Sequence, residues 1–248
     1  MRHESFDTPG PLKVKVDIPS GGVELETVEG SRTEVELTGS EDLIQEARVE
    51  LRPHGDGHEL IVETHPRVGF RLFRSSSRGV GVKVLAPHGA SVQISSASAD
   101  VQGRGRFGKV EVDSASGDVT FEEIEGDAHA NTASGKVEIG RLGGIGKFQS
   151  ASGDVEVVEA GSSLKVQTAS GDQEIGSVAS GEVTLQSASG DIKIGVKRGS
   201  KLWIDARSMS GETSSELEVG EEAPEGEGSL VEVRATAMSG DVRVVRAG

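Results

Sequence analysis

Apolar and polar residues alternate along most of this chain with a period of two. In residues 118–135, DVTFEEIEGDAHANTASG, Val119, Phe121 and Ile124 are apolar before Glu125-Gly126-Asp127 turns the chain. Ala128, Ala130 and Thr132 then alternate with His129 and Asn131 until Ser134-Gly135 turns it again. A period of two is strand geometry, and Gly recurs too often here to sustain helical turns. The pattern predicts short strands, two or three to a unit, joined by Gly-containing turns.

The unit recurs. A Ser-Ala-Ser-Gly tetrad, or a close relative, places its second serine at Ser98, Ser116, Ser134, Ser152, Ser170, Ser189, Ser210 and Ser239. The first four spacings are 18 residues, followed by 19, 21 and 29. A fixed period with growing insertions at one end is the signature of a solenoid whose last coils carry loops. Stacked in register, the units give an inward column of Val92, Val110, Ala128, Gly146, Leu164, Val183, Ile204 and Val233. Beside it run Ile94, Val112, Ala130, Phe148, Val166, Leu185, Ala206 and Ala235, and then a hydroxyl column from Ser96 to Ser208 closed by Ala237. Volumes compensate within a coil: Phe121 and Ile124 accompany Ala128 and Ala130, and Phe148 accompanies Gly146, as dense packing requires. The chain therefore reads as all-β, a parallel β-solenoid (β-helix) of 18-residue coils. Right-handedness follows from the general rule for parallel crossovers.

Residues 1–94 alternate too, without the 18-residue period, and read as an irregular all-β region capping a solenoid at 95–248. Its strands carry Leu12 to Ile18, Val23 and Leu25, Val35 and Leu37, Val49 and Leu51, Leu60 and Val62, Val68 to Leu72, and Val80 to Val84. A short helix is expected at 41–47 with Ser40 as its N-cap. Early coils with insertions explain this region better than a separate sandwich. The insertion at 212–234 carries six glutamates between Glu216 and Glu227 and reads as an exposed acidic loop.

A net charge of −15 disfavours a phosphate backbone or an anionic membrane as partner. With no cysteine, disulfides and thiolate metal sites are excluded. The opening MRHESFDTPG lacks a signal-peptide pattern, and no stretch approaches the ~20 apolar residues of a membrane span. The expectation is cytoplasmic, with a surface location as the alternative.

Candidate chemistry yields to structural explanation at each point. Asp100, Asp118, Asp154, Asp172, Asp191 and Asp241 stack at the turns with Glu212, and carboxylates about 4.8 Å apart suit Ca²⁺ or a glycosidase pair. Gly-Asp turns explain them without a ligand, and Lys136 interrupts the ladder. The serines form a ladder of equivalents, whereas nucleophilic catalysis needs one activated hydroxyl. His54-x-Asp56-x-His58, with His65, has zinc-ligand types but sits in a Gly-rich hairpin turn. Gly103 to Gly108 fits GxGxxG, yet a strand pattern follows where a dinucleotide site needs a helix. No catalytic residue, metal or cofactor is expected.

What remains is a face. Asp113, Asn131, Gln149, Gln167, Gln186 and Arg207 form one outward ladder, and Glu111, His129, Lys147, Lys165, Thr184 and Asp205 another beside it. Stacked amides stabilise a solenoid alone, but solenoids also bind along such flat faces. The candidate partner-binding residues are Asn131, Lys147, Gln149, Lys165, Gln167, Gln186 and the outward Trp203.

The SASGD repeats and their lead-in VKVLAPHGASVQISSASADVQG (residues 82–103) resemble a bacterial β-strand-repeat family of unknown function labelled "putative adhesin". The opening FDTPGPLKVKV (residues 6–16) resembles its actinobacterial members. The resemblance spans nearly the whole chain and implies a β-solenoid with no catalytic or ligand set. The expected function is a non-enzymatic scaffold or interaction protein presenting its flat face to a protein partner or to itself. The alternative is a surface adhesin that binds a glycan, with or without calcium; zero Tyr and one Trp argue against it. A polysaccharide-cleaving β-helix enzyme is third, since no coil stands apart as an active site.

Overall fold

The computed structural model describes residues 1–64, 79–216 and 229–247. The N-terminal part runs β1 (Arg2–Asp7), β2 (Leu12–Val28), β3 (Arg32–Thr38), α1 (Glu41–Glu46), β4 (Arg48–His54), β5 (Gly57–Glu63) and β6 (Val80–Pro87). It leads into β7 (Ser91–Phe107), β8 (Val110–Ser116), β9 (Val119–Ile124), β10 (Ala128–Ser134), β11 (Val137–Leu142), β12 (Gly146–Ser152) and β13 (Val155–Ala160). Then come β14 (Leu164–Ser170), β15 (Gln173–Val178), β16 (Gly181–Ser189), β17 (Ile192–Val196), β18 (Lys201–Ser210), β19 (Thr213–Ser215), β20 (Leu230–Ser239) and β21 (Val242–Arg246). His65, the strand expected at Val68 to Leu72 and most of the acidic insertion lie outside the described residues.

The middle coils follow the sequence repeat. Even-numbered strands β8 to β16 stack in parallel as a first sheet, and odd-numbered strands β9 to β17 as a second. Ala128 lies between Val110 and Gly146, and Phe148 between Ala130 and Val166. Alternate side chains point into one continuous core. Two glycines show how tightly it is filled. A Cβ on Gly146 would lie 2.5 Å from Leu164, and one on Gly103 would lie 2.2 Å from the Phe121 ring. Phe121 also meets Phe107 edge to face at 5.2 Å. Gln173 places a buried amide in the otherwise apolar column of Val119, Val137 and Val155. Its Nε2 donates to Thr168 Oγ1 (2.9 Å) and to the Gln186 carbonyl (2.7 Å), tying the second sheet to the first.

Both ends depart from sequence order. β16 pairs with β20, and β20 pairs with β18, so Val233 lies between Val183 and Ile204. β21 likewise lies between β17 and β19. The final coil of the chain is the penultimate coil in space, and the column order read from the repeats is corrected there. At the other end β2 runs parallel to β7 over residues 13–26 and, on its other edge, parallel to β5 and β6. Val14 faces Val92 and Val23 faces Val101, which makes residues 12–28 a coil in full register. The boundary placed at 94/95 falls inside β7. Beyond this coil the chain turns antiparallel: β4 on β5, β3 on β6 and β1 on β3. The helix occupies Glu41–Glu46 and buries Ile44; Ser40 precedes it, but its side chain makes no capping bond. Arg2 instead donates to the helix-end carbonyls of Ile44 (3.3 Å) and Ala47 (2.6 Å).

Candidate functional site

The Gly-Asp turns bind the protein to itself. Asp118 Oδ1 accepts from the Lys136 amide at 2.8 Å, Asp154 from Asp172 at 2.9 Å, and Asp172 from Asp191 at 2.8 Å. Asp191 accepts from Asp241 (2.8 Å) and Asp241 from Glu212 (2.9 Å), again in the permuted coil order. Each carboxylate therefore staples its coil to the next, rather than closing its own turn as an Asx turn does. The Glu212 amide, then Arg243, holds the Asp241 carboxyl below its ordinary range. At Gly135, φ is +115° and a Cβ would sit 2.2 Å from the Gly117 carbonyl oxygen, so only glycine lets the coils approach. Lys136 breaks the staple sequence, and its ammonium pairs with Glu138 (3.1 Å) and Glu156 (2.6 Å).

The hydroxyl column is occupied in part, and the buried Oγ atoms of Ser96 and Ser150 have no hydrogen-bond partner among the described residues. Ser114 donates to the Ser116 carbonyl (2.8 Å) and Thr132 to that of Ser134 (2.7 Å). No group of three or more His, Asp or Glu among the described residues is arranged to hold a metal ion. His54, Asp56 and His58 line a shallow depression of about 410 Å³ with Lys13, Lys109 and Glu111.

The outward ladders share one face of the first sheet. Asn131, Gln149, Gln167 and Gln186 stand in register on consecutive coils. Gln149 Nε2 donates to Gln167 Oε1 (3.3 Å), and Gln167 Nε2 to Gln186 Oε1 (2.7 Å), so these amides pair with each other. After Gln186 the row continues through Thr236 before reaching Arg207. Lys147 stands directly opposite Lys165, both exposed, with neither an ion pair nor a hydrogen bond among the described residues. Stacked like charges are mildly unfavourable in a sheet. By contrast Lys136, Arg141, Lys193 and Arg234 are all paired. Trp203 lies on the same face but on the outermost coil, 46% exposed, with the Arg234 guanidinium 5.6 Å over its ring.

Sequence reasoning missed what lies beside the amides. The alanine of each tetrad points outward, and Ala97, Ala115, Ala133, Ala151, Ala169 and Ala188 form an exposed apolar stripe. Met238 and Met209 end it, 57% and 81% exposed. At its N-terminal end the stripe floors a groove of about 760 Å³ bordered by Asp17, Ser95, Asp113 and Asn131. The tetrad carried the signal, since the residue one position after an inward one on a strand points outward.

The family model for Toastrack DUF4097 matches residues 14–245. Three solved structures are similar in fold. A "putative adhesin" from Parabacteroides distasonis shares 12% identity at a TM-score of 0.55, covering 98% of this chain and 96% of that one. One from Bacteroides fragilis shares 14% at 0.53, with the same coverage. One from Parabacteroides merdae shares 13% at 0.50, covering 99% and 96%. No curated protein matches. A match running from the first coil to the last, on a solenoid closed by coil-to-coil staples, places this chain in the Toastrack DUF4097 family.

Proposed function

We propose that this protein is a non-enzymatic interaction module of the cytoplasm, whose first-sheet face receives an extended segment of a protein partner. The observation that carries the reading is the groove. It crosses the coils from β2 to β12, an apolar alanine floor beside a polar border, about 19 Å long at about 4.8 Å per coil. That length suits some six residues of extended chain. Alanine offers a shallow floor for small side chains, and the border groups offer hydrogen bonds. Lys147 and Lys165 continue the face as an unpaired cationic step suited to an acidic residue of the partner. The aspartate ladder supports the non-enzymatic reading, because its carboxylates are engaged by backbone amides of the protein itself.

Affinity capture of the tagged protein from its own host's lysate tests this. Two variants accompany the wild type: Ala133→Arg, which fills the groove, and the triple change of Lys147, Lys165 and Gln167 to Glu. A reproducible partner retained by the wild type and lost by both variants, with unchanged circular dichroism, supports the face. A partner retained equally by all three means that this face is the wrong one.

A second reading, adhesion to a glycan, is favoured by the solved structures of the same fold described as adhesins. Its check is glycan-array binding with and without Ca²⁺, together with detection of the native protein outside the cell.

A further inference from the structure

We propose that two copies of this chain join end to end through the free edge of β18, forming a closed two-fold dimer. This goes beyond the face described above and uses a different surface. In the penultimate coil Val231, Val233, Ala235 and Ala237 are wholly buried. At the matching positions of β18, Leu202, Ile204, Ala206 and Ser208 are only half-buried. β19, which completes this coil, is exposed along its whole length. Among the described residues β18 pairs only with β20, so its outer backbone groups form an open ten-residue edge over a cut core. Such an edge recruits another strand.

The occupant is a second copy because the edge complements itself. Within one chain Arg207 donates to Asp205 at 2.8 and 3.0 Å; in an antiparallel pair centred on Ala206, Asp205 also faces the second copy's Arg207, and Arg207 the second copy's Asp205. In the same register Trp203 faces Met209, both exposed in the single chain. The opposite end is built differently, with antiparallel strands and α1 beyond the β2 coil, so it does not offer the matching edge. A two-fold contact uses the same edge on both copies, so the assembly closes at two. The footprint is small. Ten residues at about 3.4 Å, across sheets about 10 Å apart, give on the order of 350 Å² per copy. Standard interfaces bury about 800 Å² per partner, so the dimer is weak and concentration-dependent.

Sedimentation velocity from about 1 µM to about 1 mM reads it out. The expected mass rises from one chain to two and stops there. Asp205→Arg sets arginine against arginine and weakens association at least about tenfold. The double exchange Asp205→Arg with Arg207→Asp restores it. Both side chains point outward, so folding is kept, and the Lys147, Lys165 and Gln167 changes leave dimerisation intact. A single chain at every concentration, growth beyond two chains, or an Asp205→Arg protein that pairs like the wild type overturns the proposal.

Discussion

The two ends of this solenoid solve one problem differently. Each intercalates a chain terminus: β2 between β7 and β5–β6 at one end, β20–β21 between the last two coils at the other. Beyond that they diverge. The N-terminal end continues into antiparallel strands and a helix, and Val35 and Leu37 there are as buried as the central coils. The C-terminal end stops at β18 and β19, with Leu202 and Ile204 left half-covered. An intercalated strand is gripped on both edges whatever lies outside it. Only the outermost coil depends on a cap, so the cost of an open end is confined to one coil.

Truncation after residue 216 is the most severe way to break that comparison. It removes β20 and β21, whose Val231, Val233, Val242 and Val244 are buried and whose loss strips β16, β17, β18 and β19 of a neighbour. Four buried valines at about 1.5–3 kcal/mol each match the whole stability of a typical domain, about 5–15 kcal/mol. The truncated protein is expected to lose its cooperative thermal transition.

Next in size is a matched pair. Leu185→Ala, in a fully buried position, is expected to cost about 3 kcal/mol by chemical denaturation, and Leu202→Ala in the open coil about 1 kcal/mol. Equal costs would show that the end is covered in solution. Asp118→Ala removes one coil-to-coil staple and is expected to cost about 1 kcal/mol.

Smallest are the effects of pH, one at each end. Near the N-terminus Arg52 donates twice to Glu59, at 2.9 and 2.7 Å, and holds that carboxyl below its ordinary range. Asp241 is held down near the C-terminus. A carboxyl whose folded pKa is depressed adds stability that is fully present above its unfolded value and lost as pH falls through the folded one. Stability should therefore decline below about pH 4.5, and Glu59→Gln or Asp241→Asn should each flatten that decline in a pH series of melts.

The sequence made the middle coils legible because spacing along the chain there equals order in space. Ile204 and Val233 are interchangeable by that test. Either fits the column beside Val183, and an apolar pattern cannot tell which coil is outermost. The alternation of Leu12, Val14, Val16 and Ile18 was as regular as any repeat, yet it marks a strand without naming neighbours more than forty residues away. On the face, the amide ladder was readable because Asn and Gln stand out among strand residues. The alanine stripe was not, since Ala within a Gly-rich tetrad reads as turn chemistry. Gln173 broke an apolar column, a visible anomaly whose partners, Thr168 and the Gln186 carbonyl, come from the opposite sheet.

Intercalation also sets an order of events during synthesis. β18 and β19 leave the ribosome before β20 and β21, but among the described residues they pair only with the coil that those later strands make. At about 5–20 residues per second the nascent chain carries the exposed Leu202, Trp203 and Ile204 for on the order of a few seconds. β2 waits longer, because β7 emerges only after the whole N-terminal cap. The central coils can zip as they appear, and the two ends close only after their sequence neighbours have been held aside.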